Sequence, residues 1–318
     1  MKSLRLLPLL TVLPLVPVAH AASFDCAKAE TPFEHAICDN PEISRADEIL
    51  AKSFATALGG LTETAAADLR ADQRDWLGFA RRACTPNAEP LQTGTYNERD
   101  RACLLNTING RSEALEGSRM IGGHRFSLRS DYASYLDPDY ANESESYWRV
   151  ATHEVTYPVL DGDDPLAEKF NAFIAGQGVT LSDPDISPDE DTLAELASTD
   201  TEYKLMVQSA NGDGRITLQA TNYWYGHGAA HGQSGISYLH YWAPENRLVV
   251  AEDLFAGKKW QDRLRDLAWA ELQAEHGENL MVESPGEIAD IDLEAALAAN
   301  GQAPDATALK EEAAAPRH

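Results

Sequence analysis

Residues 203–218 read YKLMVQSANGDGRITL, and this stretch indicates how the second half of the chain folds. Runs rich in apolar and β-branched residues stand on both sides of Asn211-Gly212-Asp213-Gly214. Two such runs joined by Asn-Gly and Asp-Gly dipeptides are typical of a β-hairpin. The stretch therefore predicts two antiparallel strands with a tight turn between them.

Further strands and helices are predicted around this hairpin. Hydrophobic periodicity predicts strands over 147–159, 236–242 and 248–250, and amphipathic helices over 165–177 and 258–276. The apolar residues expected to face a core in the last helix are Trp260, Leu264, Leu267, Ala268, Ala270 and Leu272. This order of elements favours an α+β domain over 118–300, with an antiparallel sheet and packed helices. We expect a solvated acidic loop at 183–191 and a flexible tail at 301–318.

Residues 22–117 show the pattern of a small all-α module. Asn40-Pro41-Glu42 is typical of a helix start, because a capping residue precedes a proline and an acid. Gly59-Gly60 predicts the end of that helix, and Thr62 the start of the next one. Prolines and a glycine predict a loop over 85–97, followed by a third helix over about 98–115.

The first 21 residues have the pattern of a secretory signal. Lys2 and Arg5 precede an apolar run, and Ala19-His20-Ala21 matches a small-x-small cleavage pattern. The run is short for a membrane span, and the rest of the chain has no second run of about 18 apolar residues. We therefore expect a periplasmic or secreted protein that has no membrane segment after signal cleavage.

Four cysteines, Cys26, Cys38, Cys84 and Cys103, lie in the first third of the chain. In an oxidising compartment this even number predicts two disulfides, for which three pairings are possible. We favour Cys26–Cys38 with Cys84–Cys103, because each pair brackets one short segment. The chain lacks the CxxC spacing that zinc and redox sites commonly use.

The charge balance excludes two classes of partner. The 318 residues include 26 Lys and Arg against 51 Asp and Glu, which gives a formal charge of −25. Binding to nucleic acid or to an anionic membrane surface needs a basic patch, so neither partner is expected. A basic protein partner agrees with the charge, because opposite net charges accelerate encounter. Solubility alone would explain the same balance.

A dense cluster in the second predicted helix contains Trp76, Leu77 and Arg81 just before Cys84. We interpret it as core packing beside a disulfide, with Arg74 or Arg81 paired to an acid. Together with Ser23-Phe24-Asp25-Cys26, the 12-residue step to Cys38 and the closing Cys103-Leu104, this cluster resembles the N-terminal domain of LprI-type lysozyme inhibitors. The resemblance covers about residues 22–117. It implies a secreted, disulfide-bonded helical module, some of whose relatives bind and inhibit lysozyme.

The stretch 223–232 reads YWYGHGAAHG and combines three aromatic residues with two histidines. Its glycines disfavour a helix, and in an extended strand His227 and His231 would stand about 13 Å apart. We therefore expect a strand that enters a glycine-rich turn, with His231 hydrogen-bonded to the backbone. We assign no metal ligand, no cofactor and no catalytic residue, and take as candidate partner-binding residues Tyr223, Trp224, Tyr225, His227 and His231.

This strand, the Gly228-Ala229-Ala230-His231-Gly232 turn and the later stretch 250–255 resemble the RsiV-type extracytoplasmic domain, over about residues 124–276. Such domains occur in a lysozyme-binding anti-sigma factor and beside envelope polysaccharide deacetylases. Two features depart from that family. No membrane helix precedes the domain, so signalling by proteolysis is not expected, and residues 277–318 read as acidic helix or tail where further strands would follow.

Three functions fit these observations. The first is a non-enzymatic envelope protein that binds or inhibits lysozyme or another basic wall hydrolase, and both resemblances favour it. The second is a module that binds peptidoglycan without catalysis. The third is a metal-dependent hydrolase centred on His227 and His231. The chain contains no GxSxG, HExxH, Walker A or GxGxxG sequence, so no common catalytic motif supports an enzyme.

Overall fold

The computed structural model describes residues 22–143, 146–177, 190–257, 259–276 and 284. The predicted signal at 1–21, most of the acidic loop at 183–191 and the tail at 301–318 lie outside the described residues. The last two residues of that predicted loop are described, and they begin a helix. Within the described residues, no helix combines the length and the apolar character that a membrane crossing requires.

Four α-helices form the helical module (residues 22–117). Side-chain caps set their starts: Thr31, Asn40, Thr62 and Asn97 each accept hydrogen bonds from backbone N–H groups of the following first turn. The predicted starts at residues 41, 63 and 98 are confirmed. The helices are α1 (Pro32–Cys38), α2 (Pro41–Leu58), α3 (Glu63–Ala83) and α4 (Glu98–Leu115).

The helical module has its own apolar core and both expected disulfides. Large buried side chains on α2, α3 and α4 meet at its centre: Ile43, Leu69, Trp76, Phe79, Leu104 and Ile108. Cys26 is bonded to Cys38 and Cys84 to Cys103, which confirms the favoured pairing. Each bridge closes a short loop and stabilises the module chiefly by restricting the unfolded chain.

Seven strands of the described chain form one sheet in the order of the sequence, and with the helices around it they make the sheet module (residues 118–276). Most neighbours are antiparallel, so the α+β class is confirmed. The predicted hairpin is present, and its turn closes with Gly214 N–H donating to Asn211 O. The strands are β1 (Met120–Ile121), β2 (His124–Leu136), β3 (Val150–Leu160), β4 (Thr199–Ala210), β5 (Arg215–Gly226), β6 (Gln233–Trp242) and β7 (Arg247–Leu248).

One pair departs from the antiparallel prediction, because β3 and β4 run parallel. Parallel neighbours need a crossover rather than a hairpin. Here the crossover spans 161–198 and contains α5 (Pro165–Ala175) and α6 (Glu190–Ala197). The long strand β2, next to β3, was not among the predicted strands.

The second core lies between the sheet and α5. Its fully buried members are Phe126, Phe170, Leu205, Leu218 and Tyr241. Two helices follow the sheet, α7 (Ala251–Leu254) and α8 (Trp260–His276). In α8 the expected core positions Leu267, at 48% exposure, and Ala270 are exposed, whereas Trp260, Ala268 and Leu272 are half-buried. The prediction is therefore wrong for Leu267 and Ala270.

Candidate functional site: the polar junction and the aromatic end of the sheet

The two modules meet at a buried polar junction centred on Arg111 of α4. Its guanidinium donates to Asp72 Oδ2 at 2.5 Å and to Tyr132 Oη at 2.9 Å, so it joins a helix of one module to a strand of the other. Asp72 Oδ1 in turn accepts the backbone N–H of Ser130 at 2.7 Å. Both charged side chains are almost fully buried, and each satisfies the other.

Further contacts extend this junction. Arg125 of β2 donates to the carbonyl oxygens of Ala57 and Gly59, where α2 ends. Thr62, the cap of α3, donates from its backbone N–H and its hydroxyl to Asp161, which follows β3. The sheet module therefore binds backbone groups at one helix end and the capping residue of the next helix.

Glu154 of β3 lies in this junction, opposite Tyr132 in register. Burial raises the pKa of its carboxyl to about 7, and the nearby carboxylate of Glu202 acts in the same direction. Lys204 and Arg111 oppose the rise in pKa without cancelling it. Around neutral pH the junction therefore contains a carboxyl group that is partly protonated.

The aromatic end of β5 divides its side chains between two faces of the sheet. Since side chains alternate along a strand, Tyr223 and Tyr225 lie on one face and Trp224 on the other. Tyr223 is 42% and Trp224 40% exposed, whereas Tyr225 is half-buried and donates its hydroxyl to Ala229 O.

The register of β5 and β6 places two further apolar residues beside Tyr223. Ile236 pairs with Thr221 and Tyr238 pairs with Gln219, on the face opposite the buried residues Leu218 and Leu239. Ile236 is 67% and Tyr238 57% exposed. We call this group of three, Tyr223, Ile236 and Tyr238, the open-face patch.

The glycine-rich turn after β5 fits closely against aromatic rings. Gly228 has a φ of +80°, and a Cβ there would stand 2.7 Å from the Tyr140 hydroxyl. A Cβ on Gly232 would stand 2.5 Å from the Tyr223 ring. Only glycine allows these approaches without displacing a ring, so the turn has a defined shape that supports Tyr223.

His227 lies beneath this turn with its side chain buried between two carboxylates. Its Nδ1 is 2.6 Å from Asp137 Oδ2, and its Nε2 is 3.4 Å from Asp200 Oδ2. Burial lowers the pKa of the imidazole, but the facing carboxylates of Asp200 and Asp137 outweigh it and raise the pKa above its ordinary value. The resulting stabilisation is full below pH 6.5 and is lost as the pH rises through the raised pKa. His227 therefore positions the turn from inside.

His231 has a different environment. It is exposed, and its Nδ1 lies 3.1 Å from Gly232 O, in keeping with the expected backbone contact. Among the residues that the structure describes, no group of three or more His, Cys, Asp or Glu side chains is arranged to hold a metal ion. The structure thus gives the two histidines separate surroundings, one internal and one at the surface.

The cluster in α3 occupies the positions expected for core packing. Trp76 is buried in the helical core and Leu77 packs against the same core. Arg81 places its guanidinium carbon 5.6 Å from the centroid of the Phe33 ring, a cation–π contact. The buried acid–arginine pair of this helix is instead formed by Asp72 with Arg111.

Several residues of these networks were not identified from the sequence. Arg111 and Asp72 are 39 positions apart, and Asp137 and His227 are 90 positions apart. No local pattern marks either pair. Alternation along 233–242 was the available signal for Ile236 and Tyr238, and it becomes informative only once the register with β5 is known.

These features define a class: a two-module protein in which a disulfide-bonded helical module is joined by buried charges to an α+β sheet module. Residues 25–115, which make up nearly all of the helical module, match the family model described as Lysozyme inhibitor LprI. No curated protein matches the chain.

The solved structures that are similar to part of the chain include two of the DUF3298 family. One is a member of the DUF3298 family from Bacteroides fragilis, with 17% identity over 54% of this chain and 74% of that chain, and a TM-score of 0.34. The other is a DUF3298 family protein from Pseudomonas aeruginosa, with 12% identity over 56% and 74% of the two chains and a TM-score of 0.29. The RsiV-type resemblance of residues 124–276 stays a prediction.

Proposed function

We propose that this chain is a secreted or periplasmic envelope protein that binds lysozyme, or a similar basic wall hydrolase, and inhibits it. The observation that carries the proposal is the match of residues 25–115 to the lysozyme-inhibitor family model. It spans all four helices and both disulfides of the helical module. Secretion is supported by the signal pattern in residues 1–21 and by those disulfides, which persist in oxidising compartments.

Inhibition of this kind needs no catalytic residue in the inhibitor. A lysozyme cleaves its glycan with two carboxylic side chains in a cleft, so a protein that covers the cleft stops the reaction. The net charge of −25 favours encounter with a basic enzyme. Affinity and specificity then depend on a smaller set of packed contacts.

We place the contact surface at the aromatic end of the sheet. Tyr223, Ile236 and Tyr238 are exposed there on the open face, and Trp224 is exposed at the same end on the opposite face. Tyrosine and tryptophan are enriched among residues that dominate binding energy. In this proposal Tyr225 and His227 act indirectly, because they fix the turn that packs against the Tyr223 ring, and His231 stands at the edge of the surface.

The test is a titration of the oxidised chain lacking residues 1–21 against a panel of basic lysozymes, scored as lytic activity. We expect stoichiometric inhibition of at least one enzyme that persists at about 0.15 M salt, where the Debye length is about 8 Å. Inhibition that vanishes at this salt concentration, or that no enzyme shows, would contradict a specific inhibitor.

A pair of variants then locates the surface. Ile236→Ser with Tyr238→Ser removes apolar contacts from the open-face patch. Ile49→Ser is the matched control, because Ile49 is an exposed apolar residue on α2 of the helical module. We expect the sheet variant to weaken inhibition at least tenfold and the control to leave it unchanged. The reverse result would place the inhibitory surface on the helical module.

A further inference from the structure

A cleft between the two modules is used by none of the contacts proposed above for lysozyme. It has a volume of about 360 Å³ and is lined by the end of α3, the first turns of α4, the segment leading into β3, and Asp200 of β4. The Cys84–Cys103 disulfide forms part of its wall. We call it the interdomain cleft and define it by Arg99, Asp100, Asn106, Tyr147, Arg149 and Asp200.

The acids of the interdomain cleft already have partners. Asp100 accepts the Asn97 backbone N–H in the cap of α4. Asp200 Oδ1 accepts two hydrogen bonds from Thr152, and its Oδ2 faces His227. Neither carboxylate therefore needs a cation from a ligand.

Arg149 retains donor capacity in the same cleft. Its side chain is 11% exposed, and its Nη2 stands 3.6 Å from Asp100 Oδ1, beyond hydrogen-bond length. Its Nε is buried and makes no hydrogen bond to any of the residues that the structure describes. Arg149 lines the cleft, and because its ion pair with Asp100 is longer than a hydrogen bond, its Nη groups keep donors for a further carboxylate. A guanidinium binds a carboxylate with two parallel hydrogen bonds.

An aromatic platform stands at the mouth of the cleft. Tyr147 is 76% exposed, and the Arg99 guanidinium carbon lies 4.0 Å from its ring centroid. Arg99 also donates to Ser146 O, which fixes it in place. An exposed ring held in this way offers a flat apolar surface on which the face of a pyranose can stack.

From this juxtaposition we infer that the interdomain cleft binds a small saccharide that carries a carboxylate. Arg149 receives the carboxylate, Tyr147 stacks on the sugar ring, and the exposed amide of Asn106 is placed to bond an acetamido or hydroxyl group. The cleft volume lies at the small end of the range for small-molecule sites and suits one or two sugar units. The inference rests on the proposed envelope location, where wall saccharides occur, and is independent of lysozyme binding.

The experiment is a calorimetric or NMR titration of the oxidised chain lacking residues 1–21, with no lysozyme present. The probe is N-acetylmuramic acid, and N-acetylglucosamine is its counterpart without the carboxylate. We expect saturable binding of the first and at least tenfold weaker binding of the second. Equal affinities, or no binding of either sugar, would overturn the inference.

Two variants connect the binding to the cleft. Arg149→Gln is expected to weaken binding at least tenfold, whereas Arg74→Gln, the same change at an exposed position of α3, is expected to leave it unchanged. Tyr147→Ala is expected to weaken binding several-fold, and it tests the inference independently if Arg149→Gln fails to fold, because Tyr147 is exposed. Unchanged binding in Tyr147→Ala and in folded Arg149→Gln would place the saccharide elsewhere.

A third probe tests whether the cleft prefers a carboxylate on a peptide to one on a saccharide. D-alanyl-D-alanine carries one without a pyranose ring. Binding of the dipeptide in preference to N-acetylmuramic acid would overturn the saccharide assignment. Since no arm contains lysozyme, failure of these titrations and failure of lysozyme inhibition are separate results.

Discussion

At the scale of single residues, the buried charges of the junction and of the turn after β5 are held by partners of opposite charge. Arg111 and Asp72 satisfy each other in the junction, and His227 is held between Asp137 and Asp200. Glu154 is the exception. Burial disfavours its charged form, and the carboxylate of Glu202, its register partner on the next strand, adds to that effect.

We predict that Glu154→Gln stabilises the protein near neutral pH. Because burial raises the pKa of Glu154 from 4.5 to about 7, its contribution to the free energy of unfolding is full below pH 4.5 and is lost as the pH rises through 7. Glutamine mimics the protonated acid. The variant should match the parent at pH 4.5 and exceed it by up to ~3 kcal/mol at pH 8.

Urea unfolding of both proteins across this pH range measures the effect. Glu113→Gln, at an exposed position of α4, is the control and should follow the parent at every pH. A Glu154→Gln curve that runs parallel to the parent between pH 5 and 8 would show that Glu154 ionises normally.

At the scale of elements, short-range signals place the helices and a disulfide fixes α3 to α4. Asn97 and Asp100 cap α4 reciprocally, and Cys103 in its second turn is bonded to Cys84 at the end of α3. The intervening loop, 85–97, contains Ala88 at a positive φ of 56° and little regular structure. The Cys84–Cys103 disulfide therefore fixes the position of α4 relative to α3 more firmly than the connecting loop alone would.

We predict that replacing Cys84 and Cys103 together by serine lowers the free energy of unfolding by ~2–4 kcal/mol, through the regained freedom of the unfolded chain. Chemical denaturation of the oxidised proteins measures the loss. Reducing agent should then have a smaller effect on this variant than on the parent, because only Cys26–Cys38 remains to be reduced. A loss below ~1 kcal/mol would indicate that packing alone fixes the two helices.

At the scale of the whole molecule, two cores are joined by a polar junction rather than by a continuous apolar interior. The helical core lies among α2, α3 and α4, and the second core lies between the sheet and α5. Tyr132 of β2 bridges them, because its ring stacks on Phe79 at 5.0 Å while its hydroxyl accepts from Arg111. The modules are therefore expected to unfold together.

We predict that Arg111→Met costs ~3–5 kcal/mol, because Asp72 is left buried without its cation. Adding Asp72→Asn should recover part of the loss, since the new amide oxygen still accepts from Ser130 N–H. Arg129→Met is the control. Its ion pair with Asp68 is more exposed and should contribute under ~1 kcal/mol.

Unfolding followed by far-UV circular dichroism and by tryptophan fluorescence reports on the coupling of the modules. The parent should show coincident transitions, and Arg111→Met should separate them. Transitions that coincide in both proteins would show that Arg111 does not couple the two modules.

The amino-acid sequence by itself determined the local features of this protein. The starts of α2, α3 and α4, the hairpin turn at 211–214 and the favoured disulfide pairing all follow from residues within about 20 positions of one another. Caps, turns and short covalent loops depend on steric and hydrogen-bonding preferences that act over a few residues, so a sequence pattern records them.

Only the tertiary structure decided the parallel pairing of β3 with β4, the burial of Arg111 against Asp72, and the position of His227 between Asp137 and Asp200. Each of these joins residues at least 27 positions apart. An isolated Arg, His or Asp has the same local signature whether it is buried with a partner or solvated. The choice depends on which distant groups the fold brings to it, because a charge is stable in the interior only when paired.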